Sequence, residues 1–132
     1  MELFLPIWAP SLTDSSNKGK PDNQSLDFSS RFNSLGDLMD VTTKPLIFDA
    51  DNGGRLEHIP FTVRTLERLG VSAIMMEDKI GLKKNSLFSD QSDAKQDSIK
   101  DFCKKMEIIK KTRNSKDFLI GARIESFILG KG

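Results

Sequence analysis

Three short apolar runs, each ending in charged residues, constrain the fold of this 132-residue chain more than any other feature. The runs and the polar residues that close them are 45–50 with Asp49 and Asp51, 71–76 with Glu77, and 118–123 with Arg123 and Glu125. Runs this short and apolar are typical of buried strands. A helical segment lies between each pair of runs, so we predict parallel strands joined by helical crossovers.

The other elements follow from hydrophobic periodicity and from turn residues. We predict a short strand at 3–9, a loop at 11–24, helices at 25–39, 57–69 and 98–111, and a long connection at 78–97. Gly70 is expected to end the second helix in a left-handed conformation, and Asp97 is expected to cap the third. Connections longer than about a dozen residues are uncommon in compact α/β domains and often form lids or binding loops. The length of 78–97 therefore makes it a candidate lid or binding loop.

Composition excludes several classes of function and partner. The formal net charge of +1 gives no reason to expect binding to nucleic acid or to an anionic membrane. The single cysteine, Cys103, cannot form an intrachain disulfide and is expected to be buried by packing. The apolar start of the chain is short, carries Glu2 where a signal peptide would carry positive charge, and is interrupted by Pro6. No stretch is long enough to cross a membrane. We predict a cytoplasmic protein.

The polar residues at the strand ends suggest a metal and anion site. Successive parallel strands end on one face, and strand alternation places Asp49 and Asp51 on the same side. Oxygen ligands without histidine or cysteine favour Mg²⁺, with Mn²⁺ possible, over zinc. The alternative for each acid is a solvated or helix-capping role. Arg123 with Glu125 is interpreted either as an anion grip held by an acid or as an ion pair at the rim.

Two loop segments leave their roles open at this point. Lys83, Lys84 and Asn85 fit either a solvated charge run or a lid that brings a cation and an amide onto a bound anion. Asp22 on its own would be interpreted as a helix-capping or loop acid. The sheet has two possible closures: a doubly wound sheet nearly complete at this length, or part of a (β/α)8 barrel, which needs roughly 250 residues.

An ordered set of motifs covers nearly the whole chain. In order they are Trp8 with Ser11-Leu12-Thr13-Asp14-Ser15, Lys18-Gly19-Lys20-Pro21-Asp22, Asp49-Ala50-Asp51-Asn52-Gly53, Glu77-Asp78-Lys79, Lys83-Lys84-Asn85-Ser86, and Ala122-Arg123-Ile124-Glu125-Ser126-Phe127. Together they resemble the phosphoenolpyruvate mutase branch of the isocitrate lyase superfamily. The resemblance implies a single partial (β/α)8 TIM-type barrel domain over 1–132, with about four parallel strands that correspond to strands two to five of the family barrel.

The resemblance also implies an activity and its cofactor. The expected reaction is the Mg²⁺-dependent interconversion of phosphoenolpyruvate and phosphonopyruvate, an isomerisation that forms the C–P bond of phosphonate biosynthesis. Family members are usually homo-oligomers. The expected alternatives are a phosphonopyruvate hydrolase or another lyase of the superfamily, or an inactive truncated fragment. Asn85 argues against the hydrolase, and the absence of cysteine from the 83–85 segment argues against the C–C lyases.

Site roles carried over from the resemblance fall into three groups. Asp49 is expected to bind the metal directly, and Asp51 and Glu77 through water. Substrate binding is expected at Trp8, Ser11, Leu12 and Arg123. Catalytic roles are expected at Asp22, Lys83, Asn85 and Arg123. Among these, Asp22 would be the transient phosphoryl acceptor, and Lys83 and Asn85 would belong to a gating loop over 78–97. Pro10 departs from the family pattern, because the family usually has a serine there that helps to hold the substrate.

Overall fold

A computed structural model describes residues 5–81, 83 and 94–130 of the chain. Its elements are β1 (Ile7–Ala9), α1 (Ser11–Asn17), α2 (Phe28–Val41), β2 (Leu46–Asp49), α3 (Ile59–Leu69), β3 (Ala73–Glu77), β4 (Lys79–Gly81), β5 (Ala94–Gln96), α4 (Ile99–Thr112) and β6 (Leu119–Arg123). In the described part, the order of the main sheet is β1-β2-β3-β6. All its pairings are parallel, which confirms the predicted α/β class.

The register of the sheet aligns the carboxyl ends of its strands. Asp49 at the end of β2 pairs with Met75, and Glu77 at the end of β3 pairs with Arg123 at the end of β6. The backbone continues this alignment past β2, since the Glu77 amide donates to the Asp51 carbonyl at 2.8 Å. The charged residues that close the apolar runs therefore lie at one edge of the sheet, as the sequence predicts.

The core lies between the sheet and three helices. The buried stripe of α3 comprises Ile59, Val63 and Leu66, and α3 packs between α2 and α4. Phe48 and Ile74 from the sheet are also fully buried. Gly70 ends α3 at φ 84°, which confirms the predicted left-handed cap. Among the described residues no helix is long and apolar enough to cross a membrane.

The loop predicted at 11–24 is wrong in its first half, where α1 forms. Ser11, Asp14 and Ser15 are its buried residues, at i, i+3 and i+4. This is helical spacing, but every buried member is polar. A search for an apolar stripe cannot detect such a helix.

The connection at 78–97 is also more ordered at its two ends than a loop. β4 and β5 pair antiparallel, with Lys79 opposite Gln96 and Gly81 opposite Ala94. Strands of three residues with little apolar alternation give no period-two signal. Residues 82 and 84–93 of the predicted gating loop, among them Lys84 and Asn85, lie outside the described residues, as do residues 3 and 4 of the first predicted strand.

Two local predictions about α4 are wrong. Ser98, not Asp97, is the N-cap, because the Ser98 hydroxyl accepts the Asp101 amide at 3.0 Å. Asp97 instead pairs with Lys105 at 2.8 Å. Cys103 is exposed rather than buried, since it lies beside the apolar stripe of the helix and not on it.

Candidate active site

A pocket of about 170 Å³ lies at the carboxyl ends of β1, β2 and β6. Its lining residues are Trp8, Pro10, Ser11, Leu12, Asp22, Asp49, Lys83 and Arg123. The sequence assigned seven of these eight residues to substrate, metal or catalysis, and the eighth, Pro10, is the departure from the family pattern. The structure therefore brings these candidates to one place, while their individual roles remain predictions. Asn85 lies outside the described residues.

Lys83 links the first strand-helix unit to the second. Its ammonium donates to Asp22 Oδ1 at 2.8 Å and also contacts Ser11 Oγ and Asp51 Oδ1. The Ser11 hydroxyl donates to the same Asp22 oxygen at 3.0 Å. Burial acts to lower the pKa of Lys83, but Asp51 and Asp22 outweigh it and raise the pKa above its ordinary value. Lys83 is therefore a fixed cation on one side of the pocket.

Arg123 contacts three acidic side chains on the other side of the pocket. Its guanidinium donates to Glu77 Oε2, and Nη1 lies 3.5 Å from Asp49 Oδ2. Its Nε lies 2.6 Å from Glu125 Oε1, without hydrogen-bond geometry. Burial acts to lower its pKa, and the carboxylates, Glu77 first, raise it. The Arg123 side chain is 35% exposed while Glu77 is 2% exposed, so the guanidinium lies between buried acids and the open pocket.

Glu125 is not part of a rim ion pair, which was one of the two interpretations of the sequence. It is buried, and its backbone amide donates to Asp78 Oδ1 at 2.9 Å. The buried Lys79 ammonium lies 3.8 Å from Glu125 Oε2. Asp78 and Lys79, at the start of the long connection, thus hold Glu125 in place beside Arg123.

Buried carboxylates dominate the electrostatics of this edge. Burial raises the pKa of Asp49, and the nearby Asp51 charge adds to the rise. Burial also raises the pKa of Glu77, although Arg123 and Lys79 oppose it. Among the described residues at this edge, carboxylates outnumber cationic side chains: Asp14, Asp22, Asp49, Asp51, Glu77, Asp78 and Glu125 against Arg31, Lys79, Lys83 and Arg123. A further cation would lower this unfavourable charge.

The donor chemistry of the site fits a hard divalent cation. Asp49, Asp51 and Glu77 supply oxygens only, as Mg²⁺ prefers. Within the described part of the chain, no three acidic, histidine or cysteine side chains form a group arranged to hold a metal ion directly. Lys83 lies against Asp51, and Arg123 lies against Asp49 and Glu77. A cation held by one carboxylate directly and by the others through water would not need three converging ligands.

Arg31 is a site residue that the sequence analysis missed. It lies in α2, is 1% exposed, and contacts Asp14, Asp51 and the Asp49 carbonyl. A signal was present, because Arg31 falls at i+3 from Phe28 within the apolar stripe that continues to Phe32 and Leu35. A cation inside such a stripe indicates a buried acidic partner.

A strained turn presents the two aspartates. Asp51 has φ 51°, a left-handed conformation that is uncommon for any residue other than glycine. Its amide donates to Asp49 Oδ1 at 2.9 Å. Gly53 follows at φ 80°, a left-handed conformation that favours glycine, and a Cβ there would meet the end of the Met76 side chain. The turn therefore requires glycine at 53 and closes tightly against β3.

Comparison with known proteins identifies the family. The model of the family described as phosphoenolpyruvate phosphomutase matches residues 2–132. The chain belongs to this family. The phosphoenolpyruvate phosphomutase of Tetrahymena pyriformis is 32% identical over 98% of this chain and 43% of its own length. The phosphonopyruvate hydrolase of Variovorax sp. (strain Pal2) is also 32% identical, over 98% of this chain and 44% of its own.

Solved structures agree on the fold. The phosphoenolpyruvate phosphomutase of Streptomyces platensis subsp. rosaceus superposes with a TM-score of 0.87 at 30% identity, over 95% of this chain and 43% of that one. A phosphonopyruvate hydrolase complex with oxalate and Mg²⁺ superposes with a TM-score of 0.82 at 28% identity, over 96% and 42%. The chain thus spans less than half the length of these relatives. The match favours the barrel-type closure over the doubly wound sheet.

Proposed function

We propose that this protein catalyses the Mg²⁺-dependent interconversion of phosphoenolpyruvate and phosphonopyruvate, the C–P bond-forming entry to phosphonate biosynthesis. The observation that carries the proposal is the pocket in which Asp22, Asp49, Lys83 and Arg123 meet. It combines an acid able to accept a phosphoryl group, a candidate metal ligand, and two cations for an anionic substrate. The similarity to phosphoenolpyruvate phosphomutases supports this assignment.

Substrate binding is assigned to the exposed side of the pocket. Both substrates carry a carboxylate and a phosphorus group, so they need cationic, planar recognition. The partly exposed Arg123 guanidinium is placed for this, because its acid partners lie behind it. Trp8 and Leu12 supply apolar wall, and both are partly open to the pocket.

Asp49 is the proposed direct metal ligand, with Asp51 and Glu77 acting through water. A bound Mg²⁺ would neutralise charge on the substrate oxygens. The raised pKa values of Asp49 and Glu77 support a cation here, because they show that Arg123 does not fully offset the burial of these carboxylates.

Asp22 is the proposed phosphoryl acceptor. Its carboxylate attacks phosphorus, the C–P bond breaks with its electron pair moving to carbon, and the enolate of pyruvate is released within the pocket. The enolate oxygen then attacks phosphorus, the bond to Asp22 breaks, and the carboxylate is restored. Lys83 and Ser11 hold Asp22 in place, and the Lys83 charge reduces repulsion between two anions.

A phosphonopyruvate hydrolase is the second candidate, because a hydrolase relative is as similar as the mutase relative. The same first step would serve both reactions. In the hydrolase, water rather than the enolate would take the phosphoryl group, giving phosphate and pyruvate.

Phosphorus and proton NMR of phosphonopyruvate incubated with the protein and Mg²⁺ separates the candidates. A growing phosphoenolpyruvate signal supports the mutase, and phosphate with pyruvate supports the hydrolase. Loss of turnover with a chelator and in the Asp22→Asn variant would tie the signal to this pocket. If a folded protein yields neither product, both assignments fail.

A further inference from the structure

We propose that Arg31 is a positioning residue that clamps the strained turn at 49–51 and so orients the Asp49 carboxylate at the pocket and the Asp51 carboxylate toward Lys83. The turn is defined here as Asp49, Ala50 and Asp51. The clamp itself is a property of the metal-free chain. Its purpose, the presentation of metal-binding carboxylates, rests on the proposed function.

The guanidinium of Arg31 uses three nitrogens for three separate acceptors. Nη2 donates to the Asp49 carbonyl at 2.6 Å, and Nη1 to Asp51 Oδ2 at 3.3 Å. Nε donates to Asp14 Oδ2 at 2.9 Å, which anchors the fork to α1. One side chain thus holds both ends of the turn and ties them to a neighbouring helix. A lysine carries the same charge but cannot reproduce this planar fork.

Aromatic rings fix the plane of the fork. The Arg31 Cζ atom lies 4.3 Å from the Phe48 ring centroid and 5.7 Å from that of Phe28. Phe48 is the residue immediately before the turn and is fully buried. Because Arg31 is excluded from water, its hydrogen bonds act in a low-dielectric setting where they are strong.

The turn needs such a support. Asp51 is held at φ 51°, and residues in this region persist only when the surroundings hold them there. The two oxygens of Asp51 are also divided, with Oδ2 on Arg31 and Oδ1 on Lys83 at the pocket. Arg31 therefore determines which Asp51 oxygen is left to contact Lys83.

Hydrogen exchange of the metal-free protein tests the clamp. The reporters are the amides of Asp51, which donates to Asp49 Oδ1, and Gly53, which donates to the Ala50 carbonyl. The references are Ser72 and Leu119, whose amides bond across the opposite end of the sheet. In Arg31→Lys we expect the reporters to lose about tenfold in protection beyond any loss at the references. An equal loss at all four amides would overturn the proposal.

Two further variants keep the test decisive. Leu66→Ala removes a fully buried side chain of α3 and is the matched control for general destabilisation, so it should affect reporters and references alike. Asp14→Asn leaves Arg31 in place but weakens its anchor, and should expose the reporters selectively by about two- to threefold. If Arg31→Lys does not fold, the Asp14→Asn variant tests the proposal instead. Unchanged protection of the reporter amides in Asp14→Asn would overturn the proposed clamp.

Mn²⁺ binding, measured by electron paramagnetic resonance, tests the aiming of the carboxylates. If the wild type binds Mn²⁺, we expect Arg31→Lys to bind about tenfold more weakly although the local charge is unchanged. Equal or tighter binding would show that Arg31 does not aim the carboxylates. If the wild type itself binds no Mn²⁺, the metal part of the proposed function fails, and with it the aiming, while hydrogen exchange still decides the clamp.

Discussion

The two cationic sides of the pocket are built differently. The Lys83 side joins Ser11, Asp22 and Asp51, and the lysine side chain is 7% exposed. The Arg123 side joins Asp49, Glu77 and Glu125, and its guanidinium is 35% exposed. The compact Lys83 ammonium is enclosed by its acidic partners. The planar Arg123 guanidinium contacts acids and is also partly exposed to the pocket. The difference suggests that Lys83 organises the acceptor and Arg123 meets the substrate.

The largest expected effect comes from removing either cation. Arg123→Met should lower kcat/KM for phosphonopyruvate by about 10²- to 10³-fold, with a large rise in KM, because substrate oxygens lose their planar partner. Lys83→Met should act mainly on kcat, because Asp22 loses the cation that holds it. Steady-state kinetics by phosphorus NMR would check both variants. If both change KM and kcat in the same proportion, the two sides of the pocket do not differ in role.

A smaller effect should appear in the pH dependence of stability without metal. The pKa values of Asp49 and Glu77, both on the Arg123 side, are raised on folding. In the window above about pH 4, where the unfolded carboxyls ionise, the folded state binds more protons, so the free energy of unfolding falls as pH rises. Glu77→Gln should reduce this fall and raise the neutral-pH Tm by roughly 4 °C. Thermal melts between pH 4 and 8 measure it.

The same melts provide the control for the metal. Saturating Mg²⁺ should stabilise the wild type by about 2.7 kcal/mol at a hundred times its Kd, and Glu77→Gln should respond less. A Glu77→Gln variant that melts lower than the wild type at every pH would mean that its pairing with Arg123 outweighs its burial.

The smallest expected effect comes from changing Pro10, which lines the pocket next to Ser11. Pro10 is the N-cap of α1 and makes no side-chain capping bond. Pro10→Ser should supply that bond, which would raise the free energy of unfolding by about 1 kcal/mol. Part of this gain is offset because serine gives the unfolded chain more conformational entropy than proline does. The added hydroxyl also faces the pocket, so KM should fall about two- to threefold while kcat stays constant. An unchanged KM would show that the serine of the family pattern has no substrate role here.

The sequence predicted the parts of the molecule that depend on apolar patterning. The strands that end at Asp49, Glu77 and Arg123 were found because short apolar runs and helical spacing specify parallel crossovers. The adjacency of their carboxyl ends then followed from the geometry of parallel strands joined by helical crossovers. The pocket residues Trp8, Ser11 and Asp22 were found only through the resemblance to a family.

The missed parts have a common physical cause, which is burial of polar groups. α1 buries Ser11, Asp14 and Ser15, and Arg31 is buried among acids and rings. Such groups are stable inside only when their partners arrive from distant parts of the chain. Asp14 and Asp51 flank Arg31 in space but lie 17 and 20 residues from it in sequence, and periodicity carries no signal for that pairing.

The hairpin of β4 and β5 has an evolutionary consequence. Gly81 pairs with Ala94, so the two ends of the intervening stretch lie side by side. Substitutions, insertions or deletions inside that stretch need not move β3 or β6, which hold Glu77 and Arg123. Variation in the sequence around Lys83 can therefore alter the chemistry at the pocket without rebuilding the sheet that carries the acids.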